Sequence, residues 1–213
     1  LNPLKTVGKQ IQEALELHQN LHGRAARERT IEILSDVGIT EPERRYKQYP
    51  HEFSGGMRQR AVIATAIACN PNILICDEPT TALDVTIQAQ IIELLEQLQK
   101  KYRLTIIYIT HDLGVVAKVA DRIAVMYAGD IIEIGLCNEI FYNPQHPYTW
   151  ALLSSLPQLG IKGEPLYSIH GTPPNLFKEI KGDAFAPRNP RALNIDYVCL
   201  LYTSDAADDL IGV

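Results

Sequence analysis

No stretch of this chain reaches the roughly 18–20 consecutive apolar residues that a membrane-spanning helix needs. Its 213 residues therefore offer no candidate span of that kind. Basic residues are not in excess: 20 Lys and Arg stand against 25 Asp and Glu, a net charge of −5, which removes the electrostatic case for nucleic-acid binding. There is no Cys-x-x-Cys pair. Cys69, Cys76, Cys137 and Cys199 lie far apart, and the first two sit in apolar stretches. Buried free thiols in a reducing compartment are expected, rather than disulfides or metal ligands. The chain opens Leu1-Asn2-Pro3, with neither an initiating methionine nor a basic start followed by an apolar core. It is expected to begin inside a longer protein and to carry no secretory leader. No GxxxxGK[ST] phosphate loop is present either. The nearest match, Gly8-Lys9, lacks the leading glycine and the hydroxyl residue. There is no internal repeat.

What is present reads as an ordinary globular sequence, with 46% hydrophobic and 21% charged residues, long enough for one sizeable α/β domain or a domain with an appendage. From Leu4 to about Gly38 the spacing predicts two amphipathic helices. The first carries Val7, Ile11, Leu15 and Leu17. The second carries Ala25, Ile31, Ile33, Leu34 and Val37 and stops at Gly38. Residues Ile39 to His51 read as loop with a short helix. A helix is expected from Met57 to Cys69, closed by Asn70-Pro71.

Ile73 to Cys76 is a short apolar run that fits a strand buried on both faces. Val85 to Tyr102 has helical spacing, Leu104 to Ile109 is a second β-branched strand, and Leu113 to Ala120 is a short helix. Arg122–Met126 and Ile131–Ile134 read as a hairpin about Tyr127-Ala128-Gly129-Asp130. Strands alternating with helices imply parallel pairing. From about Pro157 proline and glycine become dense and periodicity fades, so a peripheral appendage is expected, not core.

Three constellations can carry chemistry. Ser54-Gly55-Gly56 opens a helix, where unpaired N–H groups and the positive end of the dipole favour an anion. Taken alone, it is more often a plain capped turn. Asp77-Glu78 ends an apolar strand, where one carboxylate can hold Mg²⁺ through water and its neighbour can orient or deprotonate a water. A solvated acidic turn before Pro79 is an equal alternative. His111 lies just past the second strand, where an imidazole can touch a phosphate. By itself a His-Asp pair more often caps the next helix.

In order, Phe53-Ser54-Gly55-Gly56-Met57-Arg58-Gln59-Arg60, then Ile73 through Asp77-Glu78-Pro79-Thr80-Thr81-Ala82-Leu83-Asp84, then Ile109-Thr110-His111-Asp112, resemble the ABC ATPase family. The first resembles its signature, with Met57 where Gln is commoner. The second resembles the Walker B strand and D-loop, and the third the switch histidine. The resemblance implies a partial P-loop NTPase α/β sheet with a helical subdomain at about 4–53, within an ATPase domain at 1–156. It implies Mg²⁺ held through water by Asp77, Glu78 as general base, and His111 sensing the γ-phosphate. Ser54, Gly55, Gly56 and Met57 would bind ATP held on an opposite subunit. Ala82, Leu83 and Asp84 would contact that subunit.

The segment opening Leu1-Asn2-Pro3 with Val7-Gly8, the run Asn143 to Thr149, Gly171-Thr172-Pro173-Pro174-Asn175-Leu176, and Gly182 to Asn189 resemble oligopeptide/dipeptide permease ATPases. An irregular C-terminal extension of that type is placed at 157–198. The resemblance implies an ATP-binding and ATP-hydrolysing subunit at the cytoplasmic face of the membrane. Its partners would be a second ATPase, two permease subunits and an extracytoplasmic peptide-binding protein. A nickel or other small-solute importer, or a non-catalytic ABC partner, is the alternative. Some members carry an iron–sulfur cluster near the tail. Asp183 and Asn189 stand at two of the cysteine places, so no cluster is expected. Without a phosphate loop, this stretch by itself is expected not to hydrolyse ATP. The run Cys199 to Asp208 back-translates to a sequence resembling a transposon-end adapter, so 199–213 is expected to be a non-native tail.

An ABC ATPase of DNA repair or translation would need a coiled-coil insertion or a basic arm, and neither is seen. A non-catalytic regulator would have no need of Glu78 and His111.

Overall fold

Helix α1 (Val7–His18) begins where its unpaired N–H groups find carbonyls. Val7 N–H donates to Gln48 O at 2.8 Å and Gly8 N–H to Tyr46 O at 3.1 Å. This close approach requires glycine, since a Cβ on Gly8 would lie 2.1 Å from the Tyr46 ring. The computed structural model describes residues 1–81, 83–156, 168–177 and 180–198, so Ala82 and the expected adapter-derived tail, 199–213, lie outside the described residues. The chain divides into two units, Leu1–Val115 and Val116–Val213.

In the first unit, α1 buries Val7, Ile11 and Leu15 along one stripe. Leu17, expected on that stripe, is 70% exposed, because two residues beyond Leu15 is about the opposite side of a helix. Helix α2 (Gly23–Asp36) buries Ala26, Thr30, Ile33 and Leu34. Ile33, Leu34 and Val37 are buried as expected, but in the first half of the helix Ala26 and Thr30 take the inward places, leaving Ala25 exposed and Ile31 half-buried. Thr30 is tolerated there because its hydroxyl donates to Ala26 O at 2.8 Å. Gly38 closes the helix in the left-handed region (φ +72), as expected.

After the short α3 (Pro42–Arg45), α4 runs Gly55–Ile67, starting two residues earlier than the apolar pattern suggests. The strands β1 (Ile73–Asp77) and β2 (Thr105–Ile109) pair in parallel, Ile73 opposite Thr105 and Asp77 opposite Ile109. Helix α5 (Val85–Tyr102) makes the crossover. Leu74 and Cys76 join Ile91, Leu94, Leu95 and Leu98 in the core shared with α1, α2 and α4. Burial pushes the Cys76 thiol up to about 11, so it stays protonated near neutral pH. The expectation of burial on both strand faces fails. Ile73, Ile75, Ile107 and Ile109 are 46–64% exposed, because the helices of this unit cover only the face carrying Leu74 and Cys76.

Helix α6 (Leu113–Val119) spans the division between the units. In the second unit, β3 (Arg122–Tyr127) and β4 (Asp130–Leu136) form an antiparallel hairpin, the first strand running one residue past its expected end and the second starting one residue earlier and ending two later than expected. Its turn takes positive φ at Ala128 and Gly129, the conformation tight hairpins need. Helices α7 (Cys137–Tyr142) and α8 (Pro147–Ser154) follow.

The described residues beyond 157, which are 168–177 and 180–198, are largely irregular in backbone, as expected, but they are not all peripheral. Ala184, Phe185 and Ala186 are at most 5% exposed, and Ala184 and Phe185 pack with Val125, Tyr127, Ile132, Ile140 and Ala151. A buried carboxylate and a half-buried guanidinium tie this stretch down. The Asp183 carboxylate lies 3.5 Å from His146 Nε2 and accepts from Phe185 N–H at 2.8 Å. The Arg188 guanidinium donates to the carbonyls of Ile169, His170 and Gly171 at 2.8–3.2 Å and to the Tyr127 hydroxyl at 3.1 Å.

Candidate functional site

Two parallel strands present their C-terminal ends at the same edge, where an α/β sheet gathers its ligand-binding groups. Beyond β1, Glu78 turns into the left-handed region (φ +46), while its N–H still donates to Ile109 O at 2.9 Å. Beyond β2 comes His111. The two side chains meet, with His111 Nδ1 2.7 Å from Glu78 Oε1. A carboxylate only accepts, so Nδ1 is the protonated nitrogen in this contact. The imidazole is 83% exposed and the carboxylate side chain 37%. Asp77 closes β1 beside them and is exposed.

The other Glu78 oxygen is also engaged. Thr81 donates its hydroxyl to Oε2 at 2.7 Å. Hydrogen bonds from Thr81 and His111 hold the Glu78 carboxyl below the usual range. The bond to Glu78, and then its charge, raise the His111 imidazole above its ordinary 6.5. The stabilising contribution of the protonated imidazole is therefore fully present below about 6.5. It is lost as pH rises through the raised value of the folded protein. In an NMR titration of the His111 ring, the midpoint is expected above 6.5 and is expected to fall when Glu78 becomes Gln. An unmoved midpoint would remove Glu78 as the cause.

Asp112 does not join this pair. It caps α6, accepting from Gly114 and Val115 N–H at 2.9 and 3.2 Å, and accepts from Gln88 Nε2 at 3.1 Å. The Gln88 bond is the main reason its carboxyl sits below the ordinary range.

The start of α4 is the second part of the site. Ser54 Oγ accepts from Met57 N–H at 3.3 Å, so the serine acts as a helix cap. Among the described residues Ser54 does not hydrogen-bond to Glu78 or His111. The α4 start packs instead on the segment that follows Glu78. A Cβ on Gly56 would come within 2.9 Å of Ile87 Cγ2, and one on Gly55 within 3.9 Å of Leu83. Asp84 caps α5 through Ile87 N–H at 3.0 Å. Gln59, one turn into α4, donates to Pro79 O at 2.8 Å. The helix start and the carboxylate turn are thus tied together by backbone and packing.

The sequence reasoning missed Thr81, Gln59 and Gln88. Only Thr81 left a local signal. Proline at the second place of a four-residue turn folds the fourth residue back on the first, and Thr81 N–H donates to Glu78 O at 3.2 Å.

No group of three or more His, Cys, Asp or Glu side chains arranged to hold a metal occurs among the described residues. Both Glu78 oxygens are already engaged by the chain itself, which leaves Asp77 free for an outer contact. These donors fit one edge of a Mg²⁺ site, reached through water, with the ion's inner ligands coming from phosphate oxygens.

Comparison with known proteins matches residues 1–81 to the ABC transporter family and residues 132–195 to the C-terminal region of oligopeptide/dipeptide transporters. The chain is 59% identical over 197 residues to the oligopeptide transport ATP-binding protein AmiE of Streptococcus pneumoniae, covering 92% of this chain and 56% of that protein. It is 62% identical over 198 residues to the oligopeptide transport ATP-binding protein OppD of Bacillus subtilis (92% and 55% covered). With the dipeptide transport ATP-binding protein DppD of the same organism, identity is 58% over 193 residues (91% and 58% covered). The chain thus spans a little over half the length of these curated relatives. Among solved structures, it is similar to the ATP-binding cassette MJ0796 in a dimeric, post-hydrolysis state bound to ADP and Pi. That likeness has a TM-score of 0.55 and 30% identity, over 64% of this chain and 59% of that one. A metal-chelate type ABC transporter in an inward-facing conformation shares the fold, with a TM-score of 0.60 at 22% identity, over 72% of this chain and 59% of that one.

Proposed function

The chain belongs to the ATP-binding proteins of ABC transporters, of the oligopeptide/dipeptide type, and from that premise we propose that it is part of a subunit that hydrolyses ATP to drive peptide import. The observation that carries the catalytic half of this reading is the Glu78–His111 contact of 2.7 Å at the ends of two parallel strands. The peptide half rests on the match of residues 132–195 to the oligopeptide/dipeptide C-terminal region.

In this reading Glu78 takes a proton from the attacking water, or orients it. His111 fixes the carboxylate and reaches toward the terminal phosphate. Asp77 holds Mg²⁺ through water. The ion, when bound there, would supply charge neutralisation for the phosphate oxygens. Ser54, Gly55, Gly56 and Met57 offer the start of α4 to nucleotide on an opposite subunit. Ala82, Leu83 and Asp84 form the contact with that subunit. Residues 1–156 act as the ATPase domain, with about 4–53 its helical subdomain facing the permease, 157–198 as the peptide-transporter extension and 199–213 as a non-native tail. The partners are a second ATPase, two permease subunits and an extracytoplasmic peptide-binding protein. The place of work is the cytoplasmic face of the membrane. No iron–sulfur cluster is involved, because Asp183 and Asn189 are not soft thiolate ligands.

The test is reconstitution of the full-length protein with its permease and binding protein in liposomes. ATP-dependent uptake of labelled di- or oligopeptide is expected. Uptake of Ni²⁺ without peptide uptake would transfer the protein to the metal importers, and no ATP-dependent uptake of either would overturn the reading. Residues 1–213 alone, without a GxxxxGK[ST] loop, are expected to show no turnover.

A further inference from the structure

We propose that Thr81 is a positioning residue for Glu78, its hydroxyl holding the carboxylate in the one orientation in which it meets His111. This rests on the reading of Glu78 as the base in ATP hydrolysis.

A glutamate at a strand end has three side-chain torsions, and among the described residues the hydrogen bonds of this carboxylate run to Thr81 and His111. Its side chain is 37% exposed, and the imidazole it meets is 83% exposed. A single hydrogen bond between two such groups leaves the carboxylate free to swing about it. A second bond on the other oxygen removes that freedom. Thr81 Oγ1 supplies it at 2.7 Å on Oε2, while His111 Nδ1 sits at 2.7 Å from Oε1.

The backbone delivers the hydroxyl to that place. Pro79 sets the turn, Thr81 N–H donates to Glu78 O at 3.2 Å, and Glu78 N–H is pinned to Ile109 O at 2.9 Å. Glu78 is itself held at φ +46, a conformation that a non-glycine residue adopts only when its surroundings impose it. Thr81 is exposed, so water would satisfy its hydroxyl equally well. The bond to Glu78 is therefore a product of the turn geometry and not a demand of burial. The bond also orients the pair without adding charge.

The experiment uses the full-length protein in its transporter complex. Thr81→Val keeps the shape and the β-branch but removes the donor, and Thr81→Ser restores the donor. ATP turnover and KM are measured, and the ¹⁵N resonance of His111 Nδ1 is recorded in nucleotide-free protein at fixed pH, assigned by its loss in His111→Gln. Thr81→Val is expected to lower kcat roughly ten- to hundredfold with KM within about twofold, the size of effect a small misplacement of a catalytic group produces. It is also expected to move the His111 resonance toward its position in Glu78→Gln. Thr81→Ser is expected to return both. A wild-type kcat in Thr81→Val overturns the inference. So does a fall in kcat with the His111 resonance unmoved, since Thr81 would then act by another route. Glu78→Gln, run alongside, judges the underlying reading separately. If that variant hydrolyses ATP at the native rate, Glu78 is not the base, whatever Thr81 does to its orientation.

Discussion

Glu78→Gln in the full-length protein is expected to lower ATP turnover by roughly a hundred- to ten-thousandfold, the usual contribution of a positioned general base, while ATP binding stays intact. The substitution is nearly isosteric. An amide oxygen can still accept from Thr81, which now donates to Glu78 Oε2 at 2.7 Å, so the turn between residues 78 and 81 has no reason to open. What is lost is the capacity to take a proton. The positive charge favoured on His111 is lost with it, because the carboxylate raises that imidazole. Binding is expected to survive because two of the groups proposed to touch nucleotide, Asp77 and the start of α4, do not hydrogen-bond to the Glu78 side chain among the described residues, and the third, His111, can still pair with the glutamine amide. The measurement pairs single-turnover hydrolysis with equilibrium binding of ATP. Brisk hydrolysis by the variant would remove Glu78 from the chemistry. Loss of binding would mean that the carboxylate supports the site and does not act in it.

Much of this is legible in the amino-acid sequence, and the exceptions have physical causes. The two parallel strands and their crossover helix follow from apolar runs of strand length separated by one long helical period, and all three elements lie within about a residue of the expected ends. The hairpin follows from Ala128-Gly129. The face of each element was harder. Leu17 and Ala25 share a helix with true core residues, and their neighbours' positions, not their own hydrophobicity, decide that they point outward. The unalternating run Ile73–Cys76 reads as a strand covered on both sides, yet periodicity cannot say which layers its own unit supplies. The pairing of Glu78 with His111 spans 33 residues. Only the motif order pointed to it, because no local pattern brings two strand ends together. Ser54 was legible as a cap from its place before Gly55-Gly56, and as a cap it is found. The interior of the second unit was the least legible. Its groups are joined across long gaps, His146 to Asp183 and Arg188 to Tyr127, and none of them carries a periodic signal.

Phe185→Ala is expected to cost the second unit about 3–5 kcal/mol, the range for emptying a fully buried phenylalanine site. Phe185 is 2% exposed and among the largest fully buried side chains of the chain. Its ring meets those of Tyr127 and Tyr148 edge-on, at centroid distances of 5.5 and 5.4 Å, so truncation removes two favourable ring contacts as well as volume. The site has little means of collapsing around the void. The residue before it, Asp183-Ala184 included, is fixed by the Asp183–His146 contact, and the stretch after it by the Arg188 clamp. A proline-rich, aperiodic segment would ordinarily be expected to tolerate such a change. Here the segment is part of the interior, and the difference is measurable without unfolding the whole protein. In native-state hydrogen exchange on the full-length variant, amides of α8 and of residues 183–189 are expected to exchange roughly a hundred- to several-thousandfold faster, since each 1.4 kcal/mol is a factor of ten. Amides of α1, α4 and α5, which belong to the other core, are expected to keep their protection. Equal acceleration in both sets would mean that the two units open together. No acceleration in either would return the segment to the periphery.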